Sequence, residues 1–466
     1  MLEIIRLTNC ATIRRDENPG FNPVDLAAQF TYSNPQYYKN ERLGLNNYGV
    51  PQYICLAEIR LDYLTLPRGC ISEILRMYPN AEVMDKTVVN HVSLKPSRTI
   101  MKDYQRDALT SLLMKNQGIL VSPPGSGKTV VGIELIILRG QRALILVHTL
   151  DLLRQWQDRF VQFTDIEPGI IQGDRFEVRD ITIGMVQSLT RPLDEGFTHH
   201  FGLVLLDEGH HTPAATFQQL VDQFPARYRY GLTATPERAD GLDFIMTAVL
   251  GPVVHKVEIA VLIGNGSILK PKIKVVQTNS YYSNVESYQE LLTRIVKDEA
   301  RNLLIVDLVA QEANSGQYCL VLSERVCHVR ELHRLFTEAN RNIKAYCITG
   351  QDSKEVRQQA IAAMNAGTGR VLFSTKLADE GLDIRRLDRL FLTCPVRAAG
   401  KVQQQIGRIQ RTFPGKQDAV AYDFIDINSL AESQLRTRAQ RIYSAYEVEH
   451  IKVSAYGTNS NHEKAT

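Results

Sequence analysis

The sequence predicts an α/β protein with parallel-sheet domains in tandem, and three observations carry that expectation. An apolar run meets a proline–glycine loop and then a helix in "ILVSPPGSGKTVVGIELIIL" (119–138). A second apolar run, Leu203 to Leu206, ends in two adjacent acids within "FGLVLLDEGHH". Farther on, "YCLVLS", "KAYCITG", "RVLFST" and "RLFLTC" alternate with helical stretches such as "VCHVRELHRLFTEAN" and "SKEVRQQAIAAMNAG". Short continuous apolar strands separated by helices imply parallel sheets with helices on their faces.

Length and composition bound the possibilities. A chain of 466 residues exceeds one ordinary domain, and each of two or three domains can bury its own core. With 44% hydrophobic and 23% charged residues, the disordered, collagen-like and membrane-spanning classes are excluded. The net charge of +3 argues against a uniformly basic coat, so any phosphate-binding surface has to be local. Seven scattered cysteines with no C-x-x-C pair predict neither a disulfide framework nor a zinc site, and a reducing cytoplasm fits them. Glu3 and Arg6 interrupt what would be the apolar core of a signal peptide, and no run reaches the roughly 18 apolar residues of a membrane span. The expectation is a chain neither exported nor anchored.

Taken in order, the first 95 residues belong to no strand–helix repeat. Phe30, Tyr32, Tyr37, Tyr38, Tyr48 and Tyr53 interleave there with Lys39 and Arg42. That pattern suits base stacking with phosphate neutralisation, but for most of these residues the core of a small α+β domain is the stronger expectation.

Next comes the glycine loop. Gly125 and Gly127 let backbone N–H groups turn toward one point, and the helix beginning near Lys128 adds its partial positive charge there. Lys128 would reach β- and γ-phosphates, and the Thr129 hydroxyl would serve Mg²⁺. Ser122 stands where the strict G-x-x-x-x-G-K-T pattern has its first glycine. At the carboxyl end of the buried-type strand Leu203 to Leu206, Asp207 can hold Mg²⁺ through water while Glu208 polarises an attacking water. His210 and His211 have no third ligand at metal spacing and are expected to be polar couplers.

"LIGNGSILKPK" interrupts the periodic pattern at Gly264 to Ser267, where a hinge is expected before a new strand near Lys272. Late in the chain "QQIGRIQR" places Arg408 and Arg411 at helical i, i+3 spacing, expected on one helix face. They lie roughly 280 positions after Lys128 and so belong to a different domain. "AVAYDFIDI" closes the last strand, "LAESQLRTRAQRIYSAYEVEHIKV" reads as one helix packing back across the preceding domains, and "YGTNSNHEKAT" reads as a frayed end.

Taken jointly, these motifs resemble a superfamily 2 helicase motor of the XPB-like and phage UvsW-type branch. "KDYQRDAL" looks like the adenine-reading Q motif, "SPPGSGKT" like motif I, "LVHTLDLLRQW" like Ia and "GMVQSL" like Ib. "DEGHH" is similar to motif II, "GLTATPERADG" to III, "LVLSER" to IV, "STKLADEGLDI" to V and "QQIGRIQR" to VI. The resemblance implies two tandem RecA-like domains, 96–264 and 265–430, preceded by a DNA-recognition module at 1–95 and followed by a helix and tail at 431–466.

The same resemblance implies residue roles. Gln105, Pro124, Gly125, Ser126, Gly127, Lys128, Thr129, Asp207, Gly381 and Asp383 would hold ATP, with Thr129 and Asp207 serving Mg²⁺. Lys128, Glu208, Arg408 and Arg411 would be catalytic. His210, Thr233, Thr235 and Gln404 would couple hydrolysis to movement, and Thr149, Gln187, Ser323 and Thr375 would touch DNA. It implies 3′ to 5′ action by a cytoplasmic monomer on single-stranded, forked or branched DNA, alongside replication or recombination proteins. The alternatives are a duplex-translocating motor subunit, an RNA helicase, or a DNA-binding module with a decayed ATPase. The presence of Lys128, Asp207, Glu208 and Arg411 discriminates against the last.

Overall fold

The computed structural model describes residues 2–208, 214–234, 241–285, 287–375, 384–396 and 399–452. The chain forms two compact units, Met1–Glu258 and Ile259–Thr466. Among the described residues no helix is long and apolar enough to cross a membrane.

The first unit holds an eight-stranded sheet. Four of its inner strands, Ala143–Val147, Leu203–Asp207, Tyr228–Thr233 and Gln117–Val121, are adjacent in that order and all parallel. Their side chains are almost wholly buried on both faces, which explains why they read as unbroken apolar runs. Register sets Asp207 beside Leu232 and Thr233 beside Val121, so motifs Ia, II, III and I leave the sheet at neighbouring carboxyl ends. In an open α/β sheet that edge is the ligand crevice.

The segment expected as a separate module instead shares a core with this unit. Its five-stranded sheet runs Glu58–Ile59, Tyr63–Pro67, Cys10–Arg14, Ile4–Leu7, Glu82–Asp85. One apolar cluster joins Leu2, Ile5, Phe30 and Ile74 to Ile119, Leu206, Phe224 and Leu250. Arg68, 1% exposed, donates Nη1 to the Ala226 carbonyl at 2.5 Å, Nη2 to that of Arg227 at 3.2 Å, and Nε to Gln117 Oε1 at 3.0 Å. A Cβ on Gly69 would collide with the Thr247 and Ala248 carbonyls, so only glycine permits this approach. Tyr32 stacks on Phe244 with ring centroids 4.2 Å apart, and Phe30 is fully buried, whereas Tyr48 is 93% exposed and Tyr53 is also exposed. The tyrosines of this region therefore divide between core and surface.

The second unit begins with the helix Ile259–Gly264, so the division between units falls ahead of the glycine run expected as the hinge. Its seven-stranded sheet runs Ala345–Ile348, Val371–Thr375, Cys319–Ser323, Arg389–Leu392, Val420–Ile427, Lys272–Tyr281, Glu447–Lys452, all parallel. The single C-terminal helix expected from sequence is corrected here. The helix Ser429–Arg441 stops, and Glu447–Lys452 pairs with Lys272–Gln277 as an edge strand. "EVEHIK" alternates exposed and half-buried positions, a two-residue period that a helix cannot satisfy. The helix also packs inside its own unit: Arg438 meets Asp423 of the neighbouring strand at 2.9 and 3.0 Å.

Candidate active site

The loop after Val121 is built by backbone geometry. Gly125 and Gly127 have φ of 79° and 80°, the left-handed region that favours glycine, and Gly127 opens the helix Lys128–Arg139. The Ser126 carbonyl accepts from both Tyr104 Oη and Gln105 Nε2 at 2.8 Å, while Gln105 Oε1 accepts from the Lys102 N–H at 2.9 Å. Gln105 is thus buried and braces the loop. The Ser126 hydroxyl is buried without a partner among the described residues.

Lys128 Nζ reaches the Ser122 carbonyl at 3.1 Å and Glu208 Oε1 at 3.0 Å. Glu208 has φ of 52°, an uncommon backbone state for a residue with a Cβ, and such states cluster at functional sites. Its other oxygen, Oε2, accepts from the Ala234 N–H at 3.2 Å and lies 3.5 Å from the Thr233 hydroxyl. Motif III therefore touches the motif II acid directly.

Asp207 is buried. Its Oδ2 accepts from the Trp156 indole N–H at 2.8 Å, while Oδ1 has no partner among the described residues. Burial, then the neighbouring Glu208 charge, pushes its carboxyl up to about 6, against the pull of Lys128. Thr129 Oγ1 accepts from Gln155 Nε2 at 3.3 Å. One hydroxyl and one carboxylate with an open oxygen fit a cation that keeps most of its water, as Mg²⁺ does. Gln155 and Trp156 escaped the sequence reading although both stand in "LVHTLDLLRQW"; the partner of Trp156 is 51 residues away.

The nearby DNA candidates have local partners. The Thr149 hydroxyl caps the helix Leu150–Thr164 by accepting from the Leu152 N–H at 3.2 Å, and Gln187 Nε2 donates to the His148 carbonyl at 2.9 Å.

In the second unit Ser323 and Thr375 are register partners on adjacent strands, and both are buried. Ser323 Oγ is 2.8 Å from His328 Nδ1, whose Nε2 is 2.9 Å from Asn302 Oδ1. Burial, then Arg301, lowers His328 to about 3, so the ring is neutral. Gln404 and Arg408 lie on the helix Ala399–Gln410. The shared helix face expected for the two arginines is corrected: Arg411 follows the helix end in an antiparallel bridge to Ile268, because Leu269 N–H bonds the Gln410 carbonyl at 2.7 Å. Lys416 Nζ caps the same end, donating to the Ile409 and Arg411 carbonyls at 2.5 and 2.8 Å. His210, Thr235, Gly381 and Asp383 lie outside the described residues.

A parallel-sheet unit with a lysine loop facing paired acids, followed by a second such unit bearing an arginine helix, defines the helicase class. Residues 98–238 match the family model "Type III restriction enzyme, res subunit", and residues 300–413 match "Helicase conserved C-terminal domain". The chain belongs to the superfamily 2 helicases. It is 28% identical over 346 residues to the DNA 3′-5′ translocase XPB2 of Sulfurisphaera tokodaii, covering 67% of this chain and 78% of that one. It is 26% identical over 435 residues to the putative ATP-dependent RNA helicase L396 of Acanthamoeba polyphaga mimivirus, covering 87% and 77%. In fold it is similar to a fragment of a putative HsdR subunit of a type I restriction enzyme from Vibrio vulnificus, with a TM-score of 0.60 at 18% identity over 77% of this chain and 70% of that one.

Proposed function

We propose that the chain is an ATP-driven, Mg²⁺-dependent DNA translocase that moves 3′ to 5′ and separates or branch-migrates forked and junction DNA. The observation that supports it most is the set formed by Lys128, Glu208 and the open Asp207 oxygen at the carboxyl ends of adjacent strands. The name of the relative XPB2 supports the polarity and the choice of DNA. The preference for forks and junctions follows from reading residues 1–95 as a recognition module, supported by exposed Tyr48 and Tyr53 with Lys39 and Arg42 in the last turn of the helix Pro35–Arg42.

In this reading Lys128 leaves Glu208 for the γ-phosphate, which frees that carboxylate to orient the attacking water and accept its proton. The backbone N–H groups of Gly125 to Thr129 would hold the phosphate chain, and Thr129 and Asp207 would hold the hydrated cation, which would supply charge neutralisation. Arg408 and Arg411 stabilise charge developing on the transferred group. Thr233, touching Glu208, carries the change onward to motif III. Thr149, Gln187, Ser323 and Thr375 mark the strand path, where Ser323 and Thr375 would act through strand-end backbone.

The test is ATPase stimulation by single-stranded DNA, duplex, fork, four-way junction and RNA at one salt concentration. Forks and junctions stimulating most supports the reading, and RNA stimulating as well as DNA transfers the chain to the RNA class that the mimivirus relative's name carries.

A further inference from the structure

We propose that Gln155 and Trp156, consecutive on the helix Leu150–Thr164, are positioning residues that orient the two cation-binding side chains, Thr129 and Asp207. The inference rests on reading this site as a Mg²⁺–nucleotide site. Each of the two ligands is held by one neighbour on that helix: Gln155 Nε2 on Thr129 Oγ1 at 3.3 Å, and Trp156 Nε1 on Asp207 Oδ2 at 2.8 Å.

The chemistry of the donors explains the choice. An indole N–H donates and accepts nothing, so it occupies Oδ2 and leaves Oδ1 as the one open oxygen of a buried carboxylate. Being neutral, it fixes the carboxylate plane without competing for its charge, as a lysine would. The amide of Gln155 likewise takes one lone pair of the Thr129 hydroxyl and leaves the other. Partners of metal ligands act in this way, by fixing orientation.

The packing supports a dedicated fit. The Trp156 ring is fully buried, and a Cβ on Gly132 would stand 2.6 Å from Trp156 Cη2 and 3.0 Å from Leu232 Cδ1. Glycine weakens a helix interior, and here it makes room for the indole. The phosphate-loop helix therefore gives up a side chain where the indole must reach the acid.

Trp156 is the only tryptophan in the chain, so a nitrogen-15 spectrum shows a single indole cross-peak. Asp207→Asn is expected to move that peak, and ADP with Mg²⁺ to move it further than ADP in EDTA. With a fluorescent ADP, the gain in affinity on adding Mg²⁺ falls about tenfold or more in Trp156→Phe, while affinity in EDTA is unchanged. Gly132→Ala, which alters neither ligand, lowers the same gain. Gln155→Ala, at an exposed position, keeps the test if Trp156→Phe fails to fold.

A peak unmoved by Asp207→Asn overturns the proposal, as does a full Mg²⁺ gain in Trp156→Phe, Gly132→Ala and Gln155→Ala. A wild-type chain with no Mg²⁺ gain at all defeats the nucleotide reading instead, and the response to Asp207→Asn still tests the contact.

Discussion

In the first unit two carboxylates, Asp207 and Glu208, stand side by side, and Lys128 acts on both. In the second, Arg301 faces Asp426 at 2.7 Å and Arg438 faces Asp423 at 2.9 and 3.0 Å, one cation to one anion. Burial by itself would lower both arginines; the facing carboxylates raise them instead, so these pairs are electrically closed. Those shifts favour the charged form of each arginine, whereas Asp207 is pushed toward its neutral form, up to about 6, because burial and Glu208 outweigh Lys128. A buried carboxylate raised by a neighbouring acid at a strand-end crevice marks a candidate functional site, and a one-to-one buried ion pair inside a sheet marks scaffolding.

Breaking each kind of set tests the comparison. The largest effect is expected at the open one: Lys128→Ala or Glu208→Gln lowers ATP turnover by about 10³-fold or more while DNA binding persists, measured by steady-state ATPase and by filter binding. Normal turnover in either variant removes the chemistry from this site. Next is the closed set. Arg438→Met leaves Asp423 buried beside Tyr443 and destabilises the protein by about 3–5 kcal/mol, read from denaturant unfolding. A neutral outcome would make the second unit's pairs dispensable and erase the contrast.

The smallest effect concerns a buried group with neutral partners. His328 sits near 3 in the fold against 6.5 when exposed, so above pH 6.5 it contributes no pH dependence. As pH falls from 6.5 toward 3 the unfolded chain takes up a proton that the folded chain refuses, and stability declines by up to a few kcal/mol. The difference in unfolding free energy between wild type and His328→Gln, followed from pH 7 to 4, is expected to narrow as pH falls. A constant difference would show that the ring titrates alike in the folded and the unfolded chain.

What the sequence made legible is what the chain encodes locally. The lysine loop with its two left-handed glycines, the acid pair after an apolar strand, and the strand–helix rhythm of 319–392 each depend on neighbours in sequence, and each stands where it was expected. The misread stretch, described to residue 452, is a helix, a single 3-10 turn at Tyr443–Ala445 and then a strand, and the strand exists because Lys272–Gln277 offers it an edge. The role of Trp156 was hidden for the same reason: nothing near it in sequence announces a carboxylate. Arg411 leaves its helix because Ile268, far upstream, pairs with it.

One junction carries a practical and a mechanical consequence. Residues 1–85 are keyed to the lysine-loop unit by Arg68 and by a common apolar core, so cutting the chain at residue 95 would strip that core bare and yield an aggregate in place of a simpler motor. Point changes at Tyr48, out in solvent, are the clean way to question this region. Fastened in this way, residues 2–85 and the lysine-loop sheet make one body, and a ligand held by either would be carried by both.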